Sequence, residues 1–215
     1  MRNVLQLVAF MVGTFLLTSC DTRTQTSSSW DLFSDVWRSK WQTSPMLAGG
    51  EIVADSEVFT LKAGAPMTGI VFPDWEKEGL PLTDYAISYE ALRVSGSDFF
   101  GSVTFPVTSR EKCVTFVLGG WGGSQVGISC IDGYDAAENS TGSSQRFENG
   151  QWYKLRLEIR AGSIQAWLDK RPIIHTNITG RQLSLRGGEI VHCVPFGFAT
   201  YSTEGRIRHL KINRL

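Results

Sequence analysis

Asp132, Asp135 and Glu138 lie within seven residues of one another, in the stretch IDGYDAAENST at 131–141. Acids at that spacing can hydrogen-bond sugar hydroxyls, hold a divalent cation such as Ca²⁺, or take a proton as a general base. Asn139 adds an amide to the same loop. The segment just before it, LGGWGGSQVGISC at 118–130, is rich in glycine. Trp121 among those glycines offers a flat ring of the kind that stacks on sugar faces. The same residues also allow a purely structural reading. Asp132-Gly133 is a turn former. Asp135 followed three residues later by Glu138 matches a capping box, whose carboxylates bond backbone N–H groups.

A second set lies in YEALRVSGSDFF at 89–100. On a strand Glu90 and Arg93 fall on opposite faces. Arg93 and Asp98 are therefore the candidates for a polar pair on a concave sheet face, or else for a solvated ion pair of little energetic weight. The three histidines, His175, His192 and His209, are scattered. No HxH, HExxH or CxxC spacing occurs, which argues against a dedicated zinc site. Neither a GxSxG elbow nor a P-loop is present. Trp152 and Trp167 fall in strand patterns and are assigned to structure. Asn139-Ser-Thr and Asn177-Ile-Thr match the glycosylation sequon, a chance match if the chain is bacterial.

The elements that must position these residues read as β-strands. In KLRLEIR (154–160) Leu155, Leu157 and Ile159 face one side and the charged residues the other, the period of a half-buried antiparallel strand. DYAISYEALRV, GSVTFPV, CVTFVLGG, VGISCI, SIQAWLD, PIIHTNI, FGFATY and RIRHLKINRL continue the series. In the last, Ile207 is out of phase with Leu210 and Ile212, which predicts a bulge near Arg208. Turn signals such as SGSD, ENGQ, RAGS and STEG separate the runs, and the 22 glycines supply tight turns. The pattern predicts an all-β, two-sheet antiparallel sandwich of about 10–14 strands. Trp30, Phe33, Trp37 and Trp41 have nearly helical spacing, but an extended segment packed on a sheet edge is the preferred reading.

Composition narrows the function. Lys plus Arg and Asp plus Glu each total 21. That balance provides no basic excess for nucleic acid.

The N-terminus reads as a targeting segment. Arg2 precedes an apolar run from Val4 to Leu17, too short for a comfortable membrane span. It ends in LTSC, which resembles a bacterial lipobox. The resemblance implies cleavage before Cys20 and acylation of its thiol. The expected layout is a lipoprotein signal peptide at 1–19, a lipidated Cys20 with a polar tether at 20–29, and one jelly-roll domain at 30–215. The protein would then be extracytoplasmic and held to the bacterial membrane by acyl chains on Cys20. Asp21 after the cysteine resembles an inner-membrane retention signal of some enteric bacteria. Cys113, Cys130 and Cys193 remain. Cys113 and Cys130 flank a turn and could meet, but three buried thiols is the preferred reading.

Four stretches resemble one family. These are DLFSDVWRSKW (31–41), DYAISYEALRVSGSDFFGSVTFPV (84–107), FENGQWYKLRLEIRAGSIQAWLDKRPI (147–173) and FGFATYSTEGRIRHLKINRL (196–215). Together they are similar to the 3-keto-disaccharide hydrolase domain family, a jelly roll of the concanavalin A-like class. The resemblance implies chemistry on 3-keto-glycosides. The C3 ketone acidifies the C2 hydrogen, a base removes it, and the enolate expels the C1 substituent. Many members carry Glu, Gln and Asp at i, i+2 and i+5 of one strand. The matching stretch here is VGISCID. Asp132 fits the Asp, while Gly127 and Ser129 stand where the Glu and Gln would be. The expected site is thus Asp132 as base or orienting group at the groove rim near Trp121, with Arg93, Asp98, Asp135, Glu138 and Asn139 contacting a carbohydrate or keto-sugar ligand. The sequence identifies no definite cofactor, and a divalent cation such as calcium is compatible. The alternatives are a non-catalytic carbohydrate-binding module and an envelope interaction module.

Overall fold

A computed structural model describes residues 28–55 and 57–215; the signal segment and Cys20 lie outside the described residues. The described residues form two antiparallel sheets. The first contains β1 (Ser29–Asp31), β3 (Ile52–Ala54), β4 (Val58–Leu61), β6 (Tyr85–Ser95), β11 (Trp152–Arg160), β12 (Ser163–Leu168), β13 (Arg171–Asn177) and β15 (Glu204–Arg214). Its order is β13-β12-β11-β6-β15-β4-β3, with β1 also on β15. The second contains β2 (Gln42–Thr43), β5 (Met67–Val71), β7 (Phe100–Val107), β8 (Ser109–Gly119), β9 (Gln125–Ser129), β10 (Ser143–Ser144) and β14 (Gly197–Tyr201). Its order is β10-β9-β8-β7-β14-β5-β2.

The fifteen strands among the described residues exceed the expected number because β1, β2, β3 and β10 have only two or three residues each. Pairings that short leave no period-2 trace in a sequence. β1 also begins inside the expected tether, where Ser29 pairs with Asn213.

β15 explains how the first sheet holds eight strands. Gly205–Arg208 pairs with β4, Lys211–Asn213 pairs with β1, and β6 runs along the other side. The two halves meet at a register shift between Arg208 and Lys211, with His209 at φ 55°. This is the bulge predicted from Ile207, and it lets Ile207, Leu210 and Ile212 all reach the core.

Between the sheets the inward residues form one aromatic-rich core. Phe198 is fully buried and its ring lies 5.0–6.4 Å from those of Tyr89, Phe196, Trp41 and Phe33. The opening tryptophan segment is mixed rather than wholly extended. Trp30 is in β1, and a one-turn helix α1 (Asp35–Arg38) carries Trp37. Trp30, Phe33 and Trp41 are buried, while Trp37 packs from the edge against Phe72.

Candidate functional site

On the outward face of the seven-stranded sheet the side chains are small. Thr104, Thr115 and Ser129 lie in one row across β7, β8 and β9, because Thr104 pairs with Thr115 and Thr115 with Ser129. The Thr104 and Thr115 hydroxyls are 2.9 Å apart. Ser102 and Val117 lie on the same face, and the Ser102 hydroxyl accepts the Leu118 N–H at 3.0 Å. Such a floor leaves room above it, and a groove of about 470 Å³ lies there. Pro66, Met67, Phe99 and Tyr201 line one part of it, and Trp121, Asp135 and Arg186 another. A 3₁₀ turn, Glu189–Cys193, brings Glu189 and Ile190 to its edge.

The glycines around Trp121 hold that ring in place. Trp121 itself has φ 47°, and Gly119, Gly122 and Gly123 are also left-handed. A Cβ at Gly123 would come within 2.8 Å of Arg93 Nη1 and 2.9 Å of the Ser97 carbonyl oxygen. Glycine is therefore required on both counts. The resulting turn leaves the indole 45% exposed. Left-handed conformation at a bulky residue is strain of the kind that collects at ligand sites.

Arg93 and Asp98 converge on this turn rather than on each other. The buried Arg93 guanidinium donates to the Gly123 carbonyl at 3.3 Å, the Phe147 carbonyl at 2.7 Å and Asn149 Oδ1 at 2.6 Å. Asp98 accepts the Gly122 N–H at 3.1 Å on one oxygen and the Phe99 N–H at 2.8 Å on the other. The expected polar pair is thus a clamp on the Trp121 turn, and Asp98 alone of the two also lines the groove.

The acids of the 131–141 loop take three separate roles. Asp135 lines the groove, is 8% exposed, accepts the Ala136 N–H at 2.7 Å and is paired with Arg186 Nη1. Glu138 reaches back to the Asp135 N–H at 3.2 Å, which is one half of the expected capping box. Asn139 holds the loop shut, donating to the Ile128, Tyr134 and Asp135 carbonyls and accepting from the Thr141 N–H and hydroxyl. Asp132 does not line the groove with Trp121. Its carboxylate accepts the Gln182 N–H at 2.7 Å and Arg181 Nε at 2.5 Å. Those two contacts hold its carboxyl below the usual aspartate range.

A calcium ion does not fit this acid set. Among the described residues no group of three or more His, Cys, Asp or Glu side chains is arranged to hold a metal, and the three carboxylates are turned to three different partners. Cys113, Cys130 and Cys193 are free and buried. Burial pushes the Cys113 and Cys193 thiols up to about 12.

Gly127 leaves no room for a longer side chain. A Cβ there would lie 2.9 Å from the Ala136 carbonyl oxygen and 3.0 Å from the Ala136 Cβ. The acidic loop packs down on β9 where a longer side chain would otherwise stand. Arg186, Tyr201 and Glu189 are groove residues that sequence reasoning did not single out. Arg186 had a readable signal, because it stands before Gly187-Gly188 much as Trp121 stands between two glycine pairs.

Neither a protein-family model nor a curated protein sequence matches the chain. Solved structures resemble it at low identity. A Crh5 transglycosylase in complex with NAG is similar at TM-score 0.60 and 8% identity, over 88% of this chain and 85% of that one. The VIP36 exoplasmic/lumenal domain in its Ca²⁺/Man-bound form is similar at TM-score 0.56 and 12% identity, over 87% and 90%. Domain 4 of AbnA, an extracellular arabinanase from Geobacillus stearothermophilus in complex with arabinotriose, is similar at TM-score 0.51 and 15% identity, over 87% and 91%. These likenesses define the class by fold: an all-β jelly roll of the kind found in carbohydrate-binding and glycosidase-related domains.

Proposed function

We propose that this jelly roll binds a carbohydrate in the groove over the seven-stranded sheet. The observation that carries the reading is the exposed Trp121 ring beside the Asp135–Arg186 pair, above a floor of hydroxyls. A ring to stack on the apolar face of a sugar, with polar groups beside it for the hydroxyls, is what such recognition needs. Tyr201, 39% exposed, supplies a second aromatic surface. The similar structures in complex with NAG and with arabinotriose, and the Ca²⁺/Man-bound one, agree with this reading.

Cleavage of 3-keto-glycosides is the second reading. Asp135 favours it as the buried carboxylate within the groove, placed to act as base with Arg186 beside it to steady a developing enolate. Binding is preferred over cleavage because β9 offers only Gly127 and Ser129 where the family carries Glu and Gln. We further propose that acylation at Cys20 displays the domain outside the cytoplasm. Mass spectrometry of an unmodified Cys20 in the native protein would sink that part.

The test is calorimetry of the detergent-solubilised full chain against neutral oligosaccharides, with a separate assay for release of product from 3-keto-glucosides. Trp121→Ala should weaken binding by about fivefold, or about 1 kcal/mol, at unchanged melting temperature. Product release that Asp135→Asn abolishes would establish cleavage. Binding that Trp121→Ala leaves intact would remove the groove from consideration.

A further inference from the structure

The opposite sheet carries a second cleft, also of about 470 Å³. Its walls come from the outward residues of β6, β11, β12 and β15. Arg156 faces Trp167 across the β11–β12 pair, and Lys154 faces Glu90 across β11–β6. His209 enters from the β15 bulge and Lys170 from the β12–β13 turn. The lining holds three fixed positive charges, Lys154, Arg156 and Lys170, against one negative, Glu90.

That single carboxylate is already shared. Arg208 lies 2.8 Å from Glu90, His209 3.5 Å and Lys154 4.0 Å. Arg156 is paired with Glu158 at 2.8 Å. Lys170 forms no ion pair among the described residues, and its only charged chain neighbour on the acidic side, Asp169, accepts the Lys154 N–H. The cations of this cleft are therefore under-compensated. The groove on the other sheet has the reverse balance, with Asp98, Asp135 and Glu189 against Arg186.

Lys170 is also held at a conformational cost. Asp169 and Lys170 have φ 48° and 71° and form a two-residue hairpin turn between β12 and β13. Such turns favour Asp-Gly, and a lysine in the second place is strained. The turn places Lys170 in the lining of the cleft that also contains the half-buried Trp167.

We propose that this cleft is a second glycan site and that it takes uronate-bearing oligosaccharides. Trp167 stacks on a sugar ring, while Lys154 and Lys170 receive its carboxylate. The proposal stands apart from the reading of the groove.

The probe is trigalacturonate, titrated into the detergent-solubilised full chain, with its neutral methyl ester as control. The acid should bind and weaken as ionic strength rises, and the ester should not bind. Lys170→Gly should weaken binding about fivefold while holding or raising the melting temperature, since glycine relieves the turn. Lys154→Ala should weaken it too, and Trp121→Ala should leave it unchanged. The proposal falls if trigalacturonate does not bind, if the ester binds equally, or if Lys170→Gly and Lys154→Ala have no effect. Loss through Trp121→Ala would move the acid to the groove and overturn it. So would binding of glycerophosphoglycerol, a soluble anionic-lipid headgroup, in place of trigalacturonate.

Discussion

Arg186 lies over the ring of Trp121, with its guanidinium carbon 5.3 Å from the ring centroid, and the same guanidinium is paired with Asp135. One side chain thus ties the aromatic and the acidic parts of the groove together. A cation over an aromatic face is worth about 0.5–1 kcal/mol at an exposed site. Arg186→Met keeps the length and removes the charge. It should shift Trp121 fluorescence, cost about 1 kcal/mol of stability through the lost pair, and weaken sugar binding more than it lowers the melting temperature.

Arg93 should behave differently, as a buried tie beneath the Trp121 turn. Arg93→Met leaves the Phe147 and Gly123 carbonyls without their guanidinium donor. Each unpaired buried acceptor costs about 1–3 kcal/mol. Chemical denaturation should show a loss of about 2–4 kcal/mol, with sugar affinity falling in step as the turn loosens. Unchanged stability would mean that the guanidinium is not holding the turn.

Asp132 gives a pH-dependent prediction. The Gln182 N–H first and Arg181 second hold its folded carboxyl below the usual value. A depressed folded pKa contributes stability that is present above the unfolded value and is lost as pH falls through the folded one. Asp132→Asn should therefore lower the melting temperature at neutral pH and shrink the difference from wild type as pH drops below the ordinary aspartate value. Glycan affinity should stay the same, because Asp132 lies outside the groove.

Cys113 and Cys193 should be inert. Burial first, with Glu111 adding to it at Cys113, pushes Cys113 and Cys193 up to about 12. Very little thiolate exists at mildly alkaline pH, and the thiolate is the reactive form. Iodoacetamide should leave both unmodified in the native protein and modify both after denaturation, as read by peptide mass spectrometry. Rapid alkylation of native Cys193 would contradict its burial.

The periodic stretches determined the all-β, two-sheet class, but not the two- and three-residue strands at its edges. Leu155, Leu157 and Ile159 alternate so plainly that only a half-buried strand accommodates them, and the phase slip at Ile207 by itself marks the β15 bulge. Local chemistry likewise marked Trp121 among its glycines and the Asp135–Glu138 cap, because turn and cap preferences act over three or four residues. Pairings across the chain were beyond such reasoning. Asp132 meets Arg181, Asp135 meets Arg186, and Arg93 meets Phe147, contacts made across about fifty residues of sequence. Which acid enters the groove depends on how the 131–141 loop packs on Gly127 and where the 181–189 segment crosses the sheet. Those are packing decisions made by distant backbone, so only the tertiary structure could assign Asp135 to the groove and turn Asp132 away.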